Sequence, residues 1–224
     1  KLEEENLQIK ILDTIVFSKQ PKEFLERAKA YQEIMMMYHC AIKEIVTKVE
    51  ILNVELKTKS NRSPIEIIKS RIKDSESIIG KLIRKGFEVN LDSMIELEDI
   101  AGVRIICSFL DDIYEVANMI MKQDDITVVR VKDYIKEPKE SGYRSLHIII
   151  EIPVFFSDKK QPLKVEVQIR TIAMDFWASL EHQLRYKRNY GNENALEDSL
   201  RECADVISDT DRKMQEIKRK IDEI

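Results

Sequence analysis

The chain has 224 residues, 43% of them hydrophobic and 35% charged, with a formal net charge of −4, which allows one sizeable domain plus helical extensions. No apolar run approaches the ~20 residues that cross a bilayer, and the opening KLEEENLQ lacks the basic-then-apolar design of a signal, so neither a membrane protein nor an exported one is expected. Cys40, Cys107 and Cys203 lie far apart with no C-x-x-C, which argues against a disulfide framework or a zinc site and suits a reducing cytoplasm.

Five Gly and five Pro predict few long loops and many helices. From Phe24 to Leu56 apolar residues recur at steps of four and three (Phe24, Ala28, Tyr31, Met35, Tyr38, Ile42, Ile45, Val49, Leu52, Leu56), a heptad-like seam on a long helix. Such a seam serves either to dock the helix on the protein's own core or to pair it with another subunit, and its length in so small a chain leans toward an oligomer. SPIE at 63–66 reads as a helix start, with Ser63 as cap, Pro64 at the first position and Glu66 closing a capping box. A second helix is expected from about Asp74 to Lys85, stopped by Gly86. A third, short one is expected in SMIELEDIAG with Ser93 as its cap.

VRIICSF at 103–109 reads as a buried strand, so Asp99 and Arg104 straddle its entry. Residues 111–122 read as a helix, 126–133 as a strand, 134–142 as a loop and 143–152 as a strand. LKVEVQIR at 163–170 alternates strictly, with Leu163, Val165, Val167 and Ile169 on one face and Lys164, Glu166, Gln168 and Arg170 on the other. Helices at about 171–187 and 195–223 follow, separated by a polar loop at 189–194. Strands interleaved with helices give an α/β or α+β core flanked by helical extensions.

Three groups carry chemistry. Asp99 and Glu166 are two carboxylates from distant positions, the usual means of holding Mg²⁺ on a nucleotide's phosphates, or else two surface acids that never meet. Residues 57–85 concentrate positive charge: Lys57, Lys59, Arg62, Lys69, Arg71, Lys73, Lys81, Arg84 and Lys85 stand against Glu66, Asp74 and Glu76. Within that excess Arg71, Lys73, Lys81 and Arg84, with Ser77 one turn before Lys81 and Arg104 on the strand, suit a triphosphate. The net charge is poor for a nucleic-acid binder, so no DNA partner is expected, and the basic cluster by itself chooses neither RNA nor a small polyphosphate. Third, KEPKESGYRSLH places Lys136 and Lys139 before Gly142, Tyr143 and His147. If the strand starts at 143, Tyr143, Ser145 and His147 share a face, and the ring can stack on a base while Arg144 points away in a structural role. Neither G-x-x-x-x-G-K-[ST] nor G-x-G-x-x-G occurs.

Taken together, SPIEIIKSRIK, EDIAGVRI, RVKDYI, KESGYRSLH, VEVQIRT and AMDFWASLEHQLRYK resemble the RelA/SpoT-type (p)ppGpp synthetase domain over about residues 61–190, and the compact chain is similar to the small alarmone synthetases. The resemblance implies an α+β, nucleotidyltransferase-like mixed sheet flanked by helices. It also implies transfer of the β,γ-pyrophosphate of ATP to the 3′-hydroxyl of GTP or GDP, giving pppGpp or ppGpp and AMP. Matched by motif, Asp99 and Glu166 hold Mg²⁺, Glu166 being also the base for the 3′-hydroxyl. Arg71 and Arg104 sandwich adenine, while Lys73, Ser77, Lys81 and Arg84 surround the ATP phosphates. Tyr143 stacks on guanine, Lys132, Lys139 and His147 serve the acceptor nucleotide, and Asp175 meets the guanine edge. Residues 1–60 and 191–224 resemble the helical elements through which small synthetases form homotetramers. His39, His147 and His182 are not followed by Asp, so no hydrolase activity is expected. Two rivals remain at this level: a non-catalytic nucleotide- or RNA-binding regulator, and a related enzyme that moves a nucleotidyl group.

Overall fold

The computed structural model describes residues 21–60, 62–186 and 193–223. In chain order these form α1 (Pro21–Ser60), β1 (Ile65–Ile72), α2 (Ser75–Arg84), α3 (Leu91–Ile95), β2 (Ala101–Cys107), α4 (Leu110–Met121), β3 (Thr127–Asp133), β4 (Leu146–Phe155), β5 (Lys160–Thr171), α5 (Ile172–Tyr186) and α6 (Glu193–Asp222). The strands make one mixed sheet in the order β1-β2-β5-β4-β3, with β2 and β5 parallel and every other pair antiparallel. The α+β architecture implied by the sequence is the one observed.

One face of the sheet is dry. Val165, Val167 and Ile169 of β5, Val103 and Ile105 of β2 and Ile148, Ile150 and Ile152 of β4 are buried in a single core. The seam of α1 lies in that core, where Tyr38, Ile42, Ile45, Val49 and Leu52 are buried, joined by Ile113, Val116, Ala117 and Ile120 of α4. The seam therefore covers the protein's own sheet, and Leu25, Met36, Ile51 and Val54 remain exposed on the other side of α1.

The opposite face carries the polar residues, and register aligns them into rows. Lys69 of β1, Arg104 of β2, Gln168 of β5, His147 of β4 and Lys132 of β3 are successive partners across the whole sheet. Arg71, Gly102, Glu166 and Ile149 form the neighbouring row. Opposed residues of a sheet point to the same side, so two rows of side chains converge over the middle strands.

α5 and α6 close one end of this face. Thr171 starts α5 by accepting a hydrogen bond from the Met174 amide at 3.1 Å, and its hydroxyl donates to Asp211 of α6 at 2.6 Å. Trp177 packs with Leu200 and Ala204, and its indole N–H donates to the Leu200 carbonyl at 2.9 Å. Gly142, at φ 85°, lies so close to α6 that a Cβ there would stand 2.6 Å from that of Ala204. Arg144 donates to the carbonyls of Gly142 and Ala204 and pairs with Asp205, which is the structural role expected of it.

Three local expectations are corrected. SPIE does not start a helix: Ile65–Ile72 is the edge strand β1, because its isoleucines find partners along β2. Ser63 instead bonds to Asn53 and to the Ile65 carbonyl, and Glu66 accepts from Ser108 at 2.6 Å. The cap of α3 is Asn90, whose side chain accepts from the Ser93 amide at 2.7 Å, so Ser93 lies inside the helix. β4 begins at Leu146 and not at 143, and Ser145 is buried, donating to the Ile169 carbonyl. The polar loop at 189–194 falls largely outside the described residues.

Candidate active site

Asp99 sits at the turn into β2, beside the end of β1, where the Lys73 amide donates to the Ile100 carbonyl at 2.9 Å. That contact brings the Lys73 ammonium onto Asp99 Oδ2, and Lys81 of α2 reaches the same oxygen at 2.5 Å. Burial pushes the Asp99 carboxyl upward, but the two ammonium groups outweigh it and hold the group below its ordinary range. For Lys73 burial prevails over the bond to Asp99, and its pKa lies below that of a free lysine. Asp99 Oδ1 is buried and has no hydrogen-bond partner.

α2 begins at Asp74, whose carboxylate accepts from the Ser77 amide at 2.8 Å and from its hydroxyl at 2.9 Å. Arg71, Lys73, Ser77, Gly80 and Arg84 line a cavity of about 430 Å³ along that helix. A second cavity, about 190 Å³, holds Asp99 and Glu166 together with Arg71, Gly102, Arg104 and Gln168. The third is a cleft of about 1470 Å³ that runs from Arg71 and Arg104 past Lys139, Tyr143 and His147 to the helices α5 and α6. Arg71 lines all three, so they are parts of one groove.

Glu166 stands at the centre. Its Oε1 lies 3.2 Å from His147 Nδ1 and its Oε2 accepts from the Gln168 amide at 2.8 Å. Burial raises its pKa, yet the bonds from His147 and Gln168 outweigh burial and keep it below the ordinary glutamate range, hence ionised near neutrality. The phenol of Tyr143 lies 2.8 Å from His147 Nε2, so these residues meet as expected although Tyr143 precedes the strand. Burial raises the Tyr143 pKa, keeping the phenol protonated.

Lys139 holds its ammonium 4.8 Å from the ring centres of both Tyr134 and Tyr143. Lys132 is exposed on the edge strand, opposite His147 in register, and does not line the three cavities. Asp175 is buried among cations: Lys69 at 3.2 Å, Arg104 at 3.4 Å and Arg170 at 3.5 Å. Lys69, Gln168 and Arg170 also line the groove, beyond the residues that the motifs point to. For the last two the sequence carries a signal, since the alternation of β5 puts them on the face of Glu166.

The donors suit a hard divalent cation. Asp99 and Glu166 are two oxygen donors that could hold such an ion with water and phosphate oxygens filling its other positions; among the described residues no group of three or more His, Cys, Asp or Glu could hold a metal by itself. The unpartnered Oδ1 of Asp99 is an oxygen ready for such an ion.

The chain belongs to the family described as the region found in RelA / SpoT proteins, whose model matches residues 70–191. The matched stretch begins within β1 and takes in every residue lining the cavity of Asp99 and Glu166 except Lys69. A relative, GTP pyrophosphokinase YwaC of Bacillus subtilis (strain 168), is 48% identical over 189 residues, covering 84% of this chain and 90% of its own. The solved structure of small alarmone synthetase 1 from Bacillus subtilis bound to its product pppGpp is 36% identical with a TM-score of 0.79, covering 86% of this chain and 98% of that one. The same synthetase bound to AMPCPP matches with a TM-score of 0.74 at 33% identity, covering 88% of this chain and 100% of that one.

Proposed function

We propose that this protein is a GTP pyrophosphokinase, a small alarmone synthetase that transfers the β,γ-pyrophosphate of ATP to the 3′-hydroxyl of GTP or GDP, forming pppGpp or ppGpp and AMP. The observation that carries the reading is the pair Asp99 and Glu166 in one cavity, joined by Arg71 to a basic groove on one side and an aromatic cleft on the other. A similar synthetase has been solved with AMPCPP and with its product pppGpp, which supports an ATP-type donor and a guanine-nucleotide product; the basic arm is assigned to the donor and the aromatic arm to the acceptor.

Arg71 and Arg104 flank the adenine, and Lys73, Ser77, Lys81 and Arg84 meet the ATP phosphates. Ammonium groups that neutralise Asp99 in the free protein are thereby placed to turn to the triphosphate. Asp99 and Glu166 would hold Mg²⁺, whose charge neutralises the phosphate oxygens as the transferred group moves. Glu166, ionised and facing the cavity, accepts or orients the proton of the 3′-hydroxyl, a poor nucleophile near neutrality. Tyr143 offers its ring to guanine, displacing the Lys139 ammonium from its face toward phosphate, with Lys132 and His147 on the same side of the sheet. Asp175, an acceptor-only group, suits the N–H edge of guanine if Lys69 yields. A homotetramer in a reducing cytoplasm belongs to the same reading, supported by exposed apolar side chains on α1 and α6 such as Val54, Val206 and Ile221 and by well-separated free cysteines.

Incubation with ATP, GTP and Mg²⁺ followed by anion-exchange chromatography tests this. The expected products are pppGpp and AMP; release of inorganic pyrophosphate instead would mean nucleotidyl transfer, and no product at all would leave a binding protein.

A further inference from the structure

Five side chains on the polar face form a closed hydrogen-bonded ring: Arg170, Tyr143, His147, Glu166 and Gln168. The contacts are Arg170 Nη2 to the Tyr143 hydroxyl at 2.7 Å, that hydroxyl to His147 Nε2 at 2.8 Å, and His147 Nδ1 to Glu166 Oε1 at 3.2 Å. The ring closes from Glu166 Oε2 to the Gln168 amide at 2.8 Å and from Gln168 Oε1 back to Arg170 Nη2 at 2.9 Å.

Donor and acceptor chemistry gives this ring one direction. Glu166 is ionised and only accepts, so His147 Nδ1 carries the hydrogen of their contact; in the neutral imidazole Nε2 is then bare and takes the Tyr143 hydroxyl hydrogen, while the Tyr143 oxygen accepts from Arg170, which only donates. This tautomer is an assignment made from the network. On the other side Gln168 accepts from Arg170 through its carbonyl, which turns its amide hydrogens onto the second Glu166 oxygen. The two hydrogens of a single nitrogen, Nη2, thus start two arms that end on the two oxygens of one carboxylate. Arg170 is 2% exposed and pairs at Nη1 with Asp175, so the root of both arms is locked.

We propose that Arg170 is the positioning residue of the reaction: through Tyr143 and His147 on one arm and Gln168 on the other, it fixes the orientation of Glu166 and of the His147 ring. This rests on Glu166 facing the 3′-hydroxyl. Because Tyr143 is both a wall of the acceptor cleft and a link of the first arm, an acceptor base stacked on it bears directly on the carboxylate. Chains of oriented hydrogen bonds in a poorly solvated site reinforce one another, so one broken link loosens the end of the chain.

Tyr143→Phe and Gln168→Leu test the two arms separately and leave the buried Arg170 in place. The phenylalanine ring keeps the stacking surface and removes only the link. For Tyr143→Phe kcat is expected to fall about tenfold, the scale of one lost hydrogen bond to a charged group, while the KM for GTP stays within about twofold. Gln168→Leu should lower kcat similarly with little change in either KM. The readout independent of activity is the ¹⁵N spectrum of the His147 ring in the nucleotide-free full chain: wild type should show the proton on Nδ1 and a hydrogen-bonded Nε2, and Tyr143→Phe should move the Nε2 signal to that of an unbonded pyridine-type nitrogen. A proton on Nε2 in wild type overturns the wiring; an unchanged kcat in both variants overturns the positioning role. A wild-type protein that makes no pppGpp fails the functional reading instead, while the tautomer still decides the network.

Discussion

Lys81 Nζ lies 2.5 Å from Asp99 Oδ2, the oxygen that Lys73 also occupies. The free protein therefore keeps one carboxylate oxygen under two ammonium groups and the other, Oδ1, buried without a partner. Replacing Asp99 by Asn removes the charge that both lysines answer. Activity is expected to fall by about 10² or more, as when a preorganised group is removed from a charged transition state, with the fold retained by circular dichroism. An Asp99→Asn enzyme within a few-fold of wild type would remove Asp99 from the metal site.

The acid side of the stability profile follows from the same pair. Asp99 and Glu166 are both held below their ordinary values, Asp99 by Lys73 and Lys81 against burial, Glu166 by His147 and Gln168 against burial. A carboxylate whose folded pKa is depressed adds stability that is fully present above its unfolded value, about 3.9 for Asp and about 4.3 for Glu, and lost as pH falls through the folded value. Urea midpoints should be flat near neutrality and drop below about pH 4. The drop should be smaller in Asp99→Asn than in wild type; equal drops would mean that Asp99 is not stabilised by the lysines.

Glu166→Gln separates chemistry from folding in another way. Its amide sets two N–H groups against each other, since Gln168 is held by Arg170 with its own amide turned toward position 166. The variant should lose about 1–3 kcal/mol of stability for the unsatisfied donors yet remain folded, and lose about 10²–10⁴ in turnover. Thermal unfolding and single-turnover rates measure the two effects.

Away from the site, Asp112 is fully buried at the start of α4, accepting from Arg62 at 2.5 and 2.8 Å, from the Phe109 amide at 3.2 Å and from Lys218 of α6 at 3.4 Å. Asp112→Ala should cost about 3–5 kcal/mol by chemical denaturation, because cations brought together for one carboxylate lose it. Turnover per folded molecule should be near wild type.

Gly142→Ala should be costlier than its size suggests. The position combines φ 85° with a Cβ clash against Ala204 whose neighbours are the backbone of α6. A loss above about 1 kcal/mol is expected, with a raised KM for GTP as the Tyr143 loop leaves α6. An unchanged melting temperature would contradict the close approach.

Much of this was legible in residue order. The alternation of Leu163, Val165, Val167 and Ile169 with Glu166, Gln168 and Arg170 assigned both faces of β5, because a strand has a period of two whatever its neighbours are. The four-three spacing from Tyr31 to Leu52 likewise announced α1. At Ile65–Ile72 the preceding Ser-Pro-x-Glu imitates a helix start, and the β2 partners that make the segment a strand lie about thirty to forty residues away, invisible to a local rule.

Residue order alone sets the inventory: which residues carry charge, which faces of β5 and α1 are apolar, and which motifs bear the family's chemistry. Which of these residues meet is settled by packing. Lys73 and Lys81 both settle on one oxygen of Asp99, Asp175 is surrounded by three cations, and a single nitrogen of Arg170 commands Glu166 from two sides. Periodicity is a property of one strand or helix, whereas hydrogen-bond direction, burial and charge balance depend on distances between strands that only register and packing set.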